Sequence, residues 1–222
     1  ASQVITVTIT NVNEAPTITS TTTAFTIAEN QTVIPDATIT ATDVDADDVL
    51  TFSVSGDVLT IDPETGVLSF VSAPNFETTT SVTATVTVTD AAGLFDTQEV
   101  TVTVTNVNEA PTITSTTTAF TIAENQTAIP GATITAIDVD AGDTLTFSVL
   151  SDVLTIDPDT GVLSFKAGEA PDFETTTEVT ATVTVTDAAG LFDTEEVTVT
   201  VTDVNDNPPV FADVNYDITI VE

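Results

Sequence analysis

Carboxylates are the side chains in this sequence with the numbers and spacing to do chemistry. There are 35 Asp and Glu, against one Lys (Lys166), no Arg, no His and no Cys. A Ser–His–Asp or Cys–His relay cannot be built without His or Cys. Most transition-metal sites, which rely on imidazole or thiolate, are excluded for the same reason. What remains is paired-carboxylate chemistry: glycoside hydrolysis, or capture of a hard cation. The pairs are Asp43-Val-Asp45 and Asp138-Val-Asp140, then Asn75-Phe-Glu77 and Asp172-Phe-Glu174. In an extended strand, residues i and i+2 project to the same side, so each pair aims two oxygens at one point. Oxygen donors without nitrogen or sulfur select calcium, which takes roughly six to eight of them. One Asp-x-Asp alone says little. Here Glu29, Asp90 and Glu109 accompany the first set, and Glu124, Asp187 and Asp206 accompany the second. An enzyme needs one active site and not a copy per module, so the repetition argues against catalysis and no enzyme is expected.

The net charge of −34 supports the same reading. A compact state so charged repels itself unless cations neutralise it. Nucleic acid needs a positive surface and is excluded as a partner. Anionic membranes should repel the chain. No apolar run reaches transmembrane length, so direct membrane insertion is not expected. The bland alternative is that the acids serve only solubility or a salt-rich habitat.

The elements that must position these acids repeat along the chain. TTAFTIAEN stands at 22–30 and again at 117–125, NVNEAP at 11–16 and 106–111, and DVNDNP at 203–208. The period is about one β-sandwich domain. Threonine makes up roughly a quarter of the residues, and Thr and Val favour strands because their branched Cβ packs on a pleated surface. Residues 100–105 and 82–89 alternate Val or Ala with Thr, which predicts strands with Val inward and Thr outward. Leu50–Val54, Val58–Ile61 and Val67–Phe70 read as shorter strands, and Asp62-Pro-Glu-Thr-Gly66 as a turn with Gly at positive φ. The fold class is all-β: tandem Greek-key sandwiches of about seven strands each, arranged end to end. The Cys–Trp core of antibody domains is missing, so a true immunoglobulin domain is not expected. The expected organisation is a last strand and linker of a preceding repeat at 1–14, repeats at 15–109 and 110–206, and the first strand of a following repeat at 207–222.

On these residues the sequence resembles tandem cadherin-like repeats. Glu29 and Glu124 precede Asn, Asp172-Phe-Glu174 stands for the family's DRE, and Asp138-Val-Asp140 is its DxD. Asp187-Ala-Ala-Gly matches its late Asp, and DVNDNPPVF at 203–211 matches its linker. NVNEAP is the looser variant of bacterial repeats, as in large calcium-dependent surface adhesins. The resemblance implies calcium between consecutive repeats, usually about three ions per junction. Carried over, the middle junction takes Glu29, Asn75 and Glu77 from the first repeat. The linker supplies Asn106, the Val107 carbonyl, Asn108, Glu109 and the Ala110 carbonyl. The second repeat supplies Asp138, Asp140, Asp187 and a carbonyl near Gly142. Asn75 and Asn106 stand where the family has Asp, which leaves about six negative charges against six positive for three calcium ions. The starting junction keeps Asn13, Glu14, Ala15, Asp43, Asp45 and Asp90. The final junction keeps Glu124, Asp172, Glu174, Asp203, Val204 and Asp206.

The function this implies is a calcium-rigidified extender of an extracellular or cell-surface adhesin, with neighbouring repeats of the same chain as partners. An adhesive module making homophilic or heterophilic contacts with other surface proteins is the alternative, as is a carbohydrate-binding module. Sugar platforms usually stack on Trp or Tyr, and the sequence has no Trp and one Tyr. Phe95 and Phe192 lie in equivalent AAGLFDT turns, where packing is expected over exposure.

Overall fold

The computed structural model describes residues 2–46, 48–210 and 220–221. Contacts divide the chain into two compact units that meet in sequence between Asn108 and Glu109. In the first unit the strands are β1 (Thr17–Ile18), β2 (Ala24–Ala28), β3 (Val33–Thr38), β4 (Ala41–Thr42), β5 (Thr51–Val54), β6 (Leu59–Ile61), β7 (Val67–Phe70), β8 (Ser81–Thr89) and β9 (Phe95–Thr105). The second unit repeats them as β10 (Thr112–Ile113), β11 (Ala119–Ala123), β12 (Ala128–Thr133), β13 (Ala136–Ile137), β14 (Thr146–Leu150), β15 (Leu154–Ile156), β16 (Val162–Phe165), β17 (Glu178–Thr186) and β18 (Phe192–Thr202). No helix occurs among the described residues.

Each unit is a sandwich of a four-stranded sheet, β2-β9-β8-β5 or β11-β18-β17-β14, over a three-stranded one, β3-β7-β6 or β12-β16-β15, with the β1–β4 or β10–β13 pair alongside. β2 runs parallel to β9, as β11 does to β18, and the other strand pairs among the described residues are antiparallel. The alternation of β9 decides which face is buried: Val100 and Val102 are fully buried and Val104 nearly so, while Thr103 and Thr105 face solvent. Phe25, Ile27, Ile39, Phe52, Leu68, Phe70, Val86 and Val88 complete one core, and Phe120, Ile122, Ile134, Phe147, Leu163, Phe165, Val183 and Val185 the other.

The Asp62–Gly66 turn forms as its sequence predicts. Asp62 accepts hydrogen bonds from the Thr65 and Glu64 amides, and these, Thr65 most, hold its carboxyl below the usual range. Gly66 takes φ +69°, and a Cβ there would stand 2.1 Å from the Ile39 carbonyl oxygen. The Ile39 amide donates back to Gly66, so the close approach of two backbones is what requires glycine.

Residues 2–16 carry no strand, and Val4, Ile5, Val7 and Ile9 are exposed. The alternation there has no sheet to join among the described residues, and an unpaired strand is not stable alone. Most of the segment expected to open a following repeat, 211–219 and 222, lies outside the described residues.

Candidate functional site

β9 carries an acidic group at each of its ends. It has 11 residues, so the two groups stand roughly 35 Å apart at about 3.3 Å per residue. The first forms where the β8–β9 hairpin turns. Asp90 Oδ1 accepts from the Gly93 and Leu94 backbone amides, which fixes the side chain and leaves Oδ2 to accept from Asn13 Nδ2 at 2.8 Å. Burial opposes the charge on Asp90, but the Asn13 amide and the turn amides outweigh it and hold the carboxyl low. Asp45 accepts from the Glu14 amide at 2.9 Å and from Asn11 Nδ2, and both lower its pKa, the Glu14 amide more. Asp43 Oδ1 accepts from the Asp45 amide.

Carboxylate oxygens of Asp43, Asp48 and Asp90 lie within 4.8 Å of one another. In the second unit Asp138, Asp140 and Asp143 come together on the same criterion. There the Glu109 amide donates to Asp140 at 2.8 Å and Asp187 caps its own hairpin turn. Asp48 and Asp143 are not among the ligands implied by the resemblance, which has a carbonyl near Gly142 in the second unit. Gly142 takes φ +100° in the turn that brings Asp143 round to Asp140. The signal in the sequence was the DVDADD and DVDAGD spacing, with a third Asp three residues after the pair. Burial pushes both carboxyls up, and the neighbouring acids add to it: Asp43, Asp90 and Asp45 around Asp48, and Asp138, Asp187 and Asp140 around Asp143.

The second group lies beside the last residue of β9. Glu29 is 1% exposed, its amide bonds the Thr105 carbonyl, and its carboxylate accepts from the Phe76 and Val107 amides, each at 2.9 Å. Glu124 does the same with Phe173 at 2.8 Å and Val204 at 2.7 Å. Both are followed by Asn at positive φ, Asn30 at 61° and Asn125 at 62°, a conformation that Asn tolerates better than most residues. A Glu77 oxygen lies within 4.8 Å of one from Glu29, and Glu124, Glu174 and Asp203 form a triad on the same criterion. Asn75 and Asp172 are turned into their own loops, where their Oδ1 atoms accept from Thr78 and Glu174. Asp206 accepts from Asn125 Nδ2 at 2.7 Å.

The donor set fits a hard divalent cation. Every side-chain ligand is an oxygen, and the Oδ2 atoms of Asp43, Asp48, Asp138 and Asp143 are buried without a hydrogen-bond donor. Two oxygens each about 2.4 Å from one ion lie at most about 4.8 Å apart, which is the spacing these groups have.

Phe95 and Phe192 are 61% and 62% exposed, which corrects the packing role expected for them. The reason is strand parity. Val100, Val102 and Val104 set the inward positions of β9, so residue 95 points outward, and Val197, Val199 and Val201 do the same for 192.

The sequence profile of a family described as a bacterial Ig domain matches residues 13–103 and again 108–200. The missing Cys–Trp pair had set the repeats apart from immunoglobulin domains. In this bacterial family match, aliphatic and Phe side chains fill the space between the sheets in place of that pair. The protocadherin-like wing polarity protein stan of Drosophila melanogaster is 29% identical over 210 residues, covering 85% of this chain. The chain spans 6% of that relative's length. Among solved structures, Drosophila N-cadherin EC1-4 superposes with a TM-score of 0.68 at 19% identity, over 86% of this chain and 50% of that one. Human protocadherin-24 EC1-2 gives 0.66 at 20% identity, over 86% of this chain and all of that one. The fold is that of cadherin repeats.

Proposed function

The chain belongs to the bacterial Ig-domain family, and from that premise we propose that its repeats are calcium-stiffened extenders of an extracellular adhesion protein. The observation that carries this reading is the buried, donorless carboxylate oxygens at the hairpin end of each repeat. Such atoms cost free energy unless something positive meets them. A cation meets that need where 35 acids face one Lys.

In this reading the repeats run from 15 to 109 and from 110 to 206, and residues 106–110 join them. Glu29 and Glu77 on one side, Asp138, Asp140 and Asp187 on the other, and Asn106, Asn108, Glu109 and the Val107 and Ala110 carbonyls between them supply the oxygens. The chain's residues do two things here. They hold negative charge in short loops that cannot spread apart, and they tie the linker amides to Glu29 and Asp140, so that whatever fixes those carboxylates fixes the linker. Calcium supplies the neutralising charge. Extracellular modules bind it at about 10⁻⁴–10⁻³ M, so the linker would be loose inside a cell and stiff outside. The repeats are read as non-catalytic, with neighbouring repeats of the same chain as their partners.

Thermal melting with calcium and with chelator is the test. Calcium should raise the melting temperature, and Asp140→Ala should remove much of that rise while Asp152→Ala leaves it. Identical melts with and without calcium would leave the acids a solubility role only. The exposed Phe95 and Phe192 favour a second reading, an adhesive or glycan-binding face. Calorimetric titration of a glycan panel checks it, and a saturable response lost on replacing either Phe would establish it.

A further inference from the structure

We infer that Asp48 and Asp143 are cation ligands, and that with them each repeat holds one calcium ion using carboxylates of its own, without help from a neighbouring repeat. The inference rests on the calcium reading above and changes what the site is made of. The resemblance implies a backbone carbonyl at this place, and the structure puts a charged side chain there.

Three observations support it. In the first repeat Asp43, Asp48 and Asp90 bring oxygens within 4.8 Å of one another, the separation that a shared calcium imposes. The Oδ2 atoms of Asp43 and Asp48 are buried and receive no hydrogen bond. Asp48 also lines an open, mostly polar cleft of about 420 Å³ with Asn11, Asn13, Asp45 and Ala46. That leaves space for water ligands and amide oxygens to complete a calcium shell of roughly six to eight. The second repeat has a related cluster with a different third member: Asp143 joins Asp138 and Asp140, where the first repeat uses Asp90, and the Oδ2 atoms of Asp138 and Asp143 are again buried without a donor.

A purely structural Asp48 predicts something different. Its backbone already serves the turn, the Asp48 amide donating to the Asp45 carbonyl at 3.3 Å, and its Oδ2 has no donor to lose. Asparagine would place an NH₂ among carboxylates and remove one negative charge. Without calcium that should stabilise the repeat, while with calcium it should cost a ligand. The two signs are opposite, and a structural role would not produce that pair.

The experiment uses the whole chain, calcium chloride as the probe, and the double variant D48N/D143N beside wild type and a D152N control. Calorimetric titration gives the stoichiometry and melting gives the stability. The expected result is loss of two ions from the stoichiometry, or weakening of those sites by at least about tenfold. The double variant should also melt higher than wild type in chelator and gain less from calcium, with D152N unchanged. A double variant that titrates as wild type overturns the inference and leaves the calcium reading standing. Wild type that takes up no calcium overturns both.

Discussion

The two repeats differ most at the far end of the long strand. In the first, the loop before Glu77 holds Asn75 and the strand runs into Asn106; in the second, the same places hold Asp172 and Asp203. The backbone does not register the change. Asn75 Oδ1 accepts from an amide of its own loop, and so does Asp172 Oδ1. Glu29 and Glu124 tie down the same two amides on each side. Shape at this end is set by oxygen acceptors that Asn and Asp both provide, whereas charge is free to vary. Asn75 accepts from Thr78 and Asp172 from Glu174, so the fold asks this place for an oxygen acceptor within its own loop and leaves its charge free.

The largest effect that could break this comparison is in the cores. Leu68 and Leu163 are both fully buried, so Leu68→Ala and Leu163→Ala should each cost about 2–5 kcal/mol. If the units are independent, each should lower a melting transition belonging to its own repeat. A single shared transition shifted equally by both would show the repeats folding as one. A smaller effect sharpens the charge difference. The double change Asn75→Asp with Asn106→Asp should tighten calcium binding at the far end of the first repeat and leave the fold unchanged by circular dichroism. Weaker binding would mean that charge at these two places does not set affinity. The smallest concerns β3, whose pairing with β7 shifts register between Val33 and Thr38. Asp36 holds φ +56° where the second repeat has Gly131 at +69°, and a non-glycine residue there is strained. Asp36→Gly relieves that strain but loosens the unfolded chain, so the net gain should be under about 1 kcal/mol, read from denaturant midpoints. A loss would show that the Asp side chain contributes more than its backbone conformation costs.

How much of this was legible follows from range. β8 and β9 were readable because their alternation is local, with Val at every second position, and the Asp62–Gly66 turn because its chemistry fits within five residues. Glu29 was readable as an acid that recurs, but the amides it holds, Phe76 and Val107, are brought to it by folding and leave no local mark. Asp48 and Asp143 were lost for a related reason. An i, i+2 rule holds in extended backbone, and these residues lie past a turn that bends the chain back on the pair. Phe95 and Phe192 show the opposite error. Their large apolar side chains suggested burial, yet the parity set by Val100 or Val197 turns them outward, and parity outranks hydrophobicity at the end of a strand. Residues 4–9 alternate as well as β9 does, yet form no strand among the described residues, because alternation states a preference and pairing requires a partner.

If calcium changes the linker between repeats from loose to stiff, as proposed, small-angle scattering of the whole chain in millimolar calcium and then in chelator will show it. Calcium should give a narrow distribution of maximum dimension and chelator a broader one, reversed on adding calcium back. Superimposable profiles in the two conditions would contradict it.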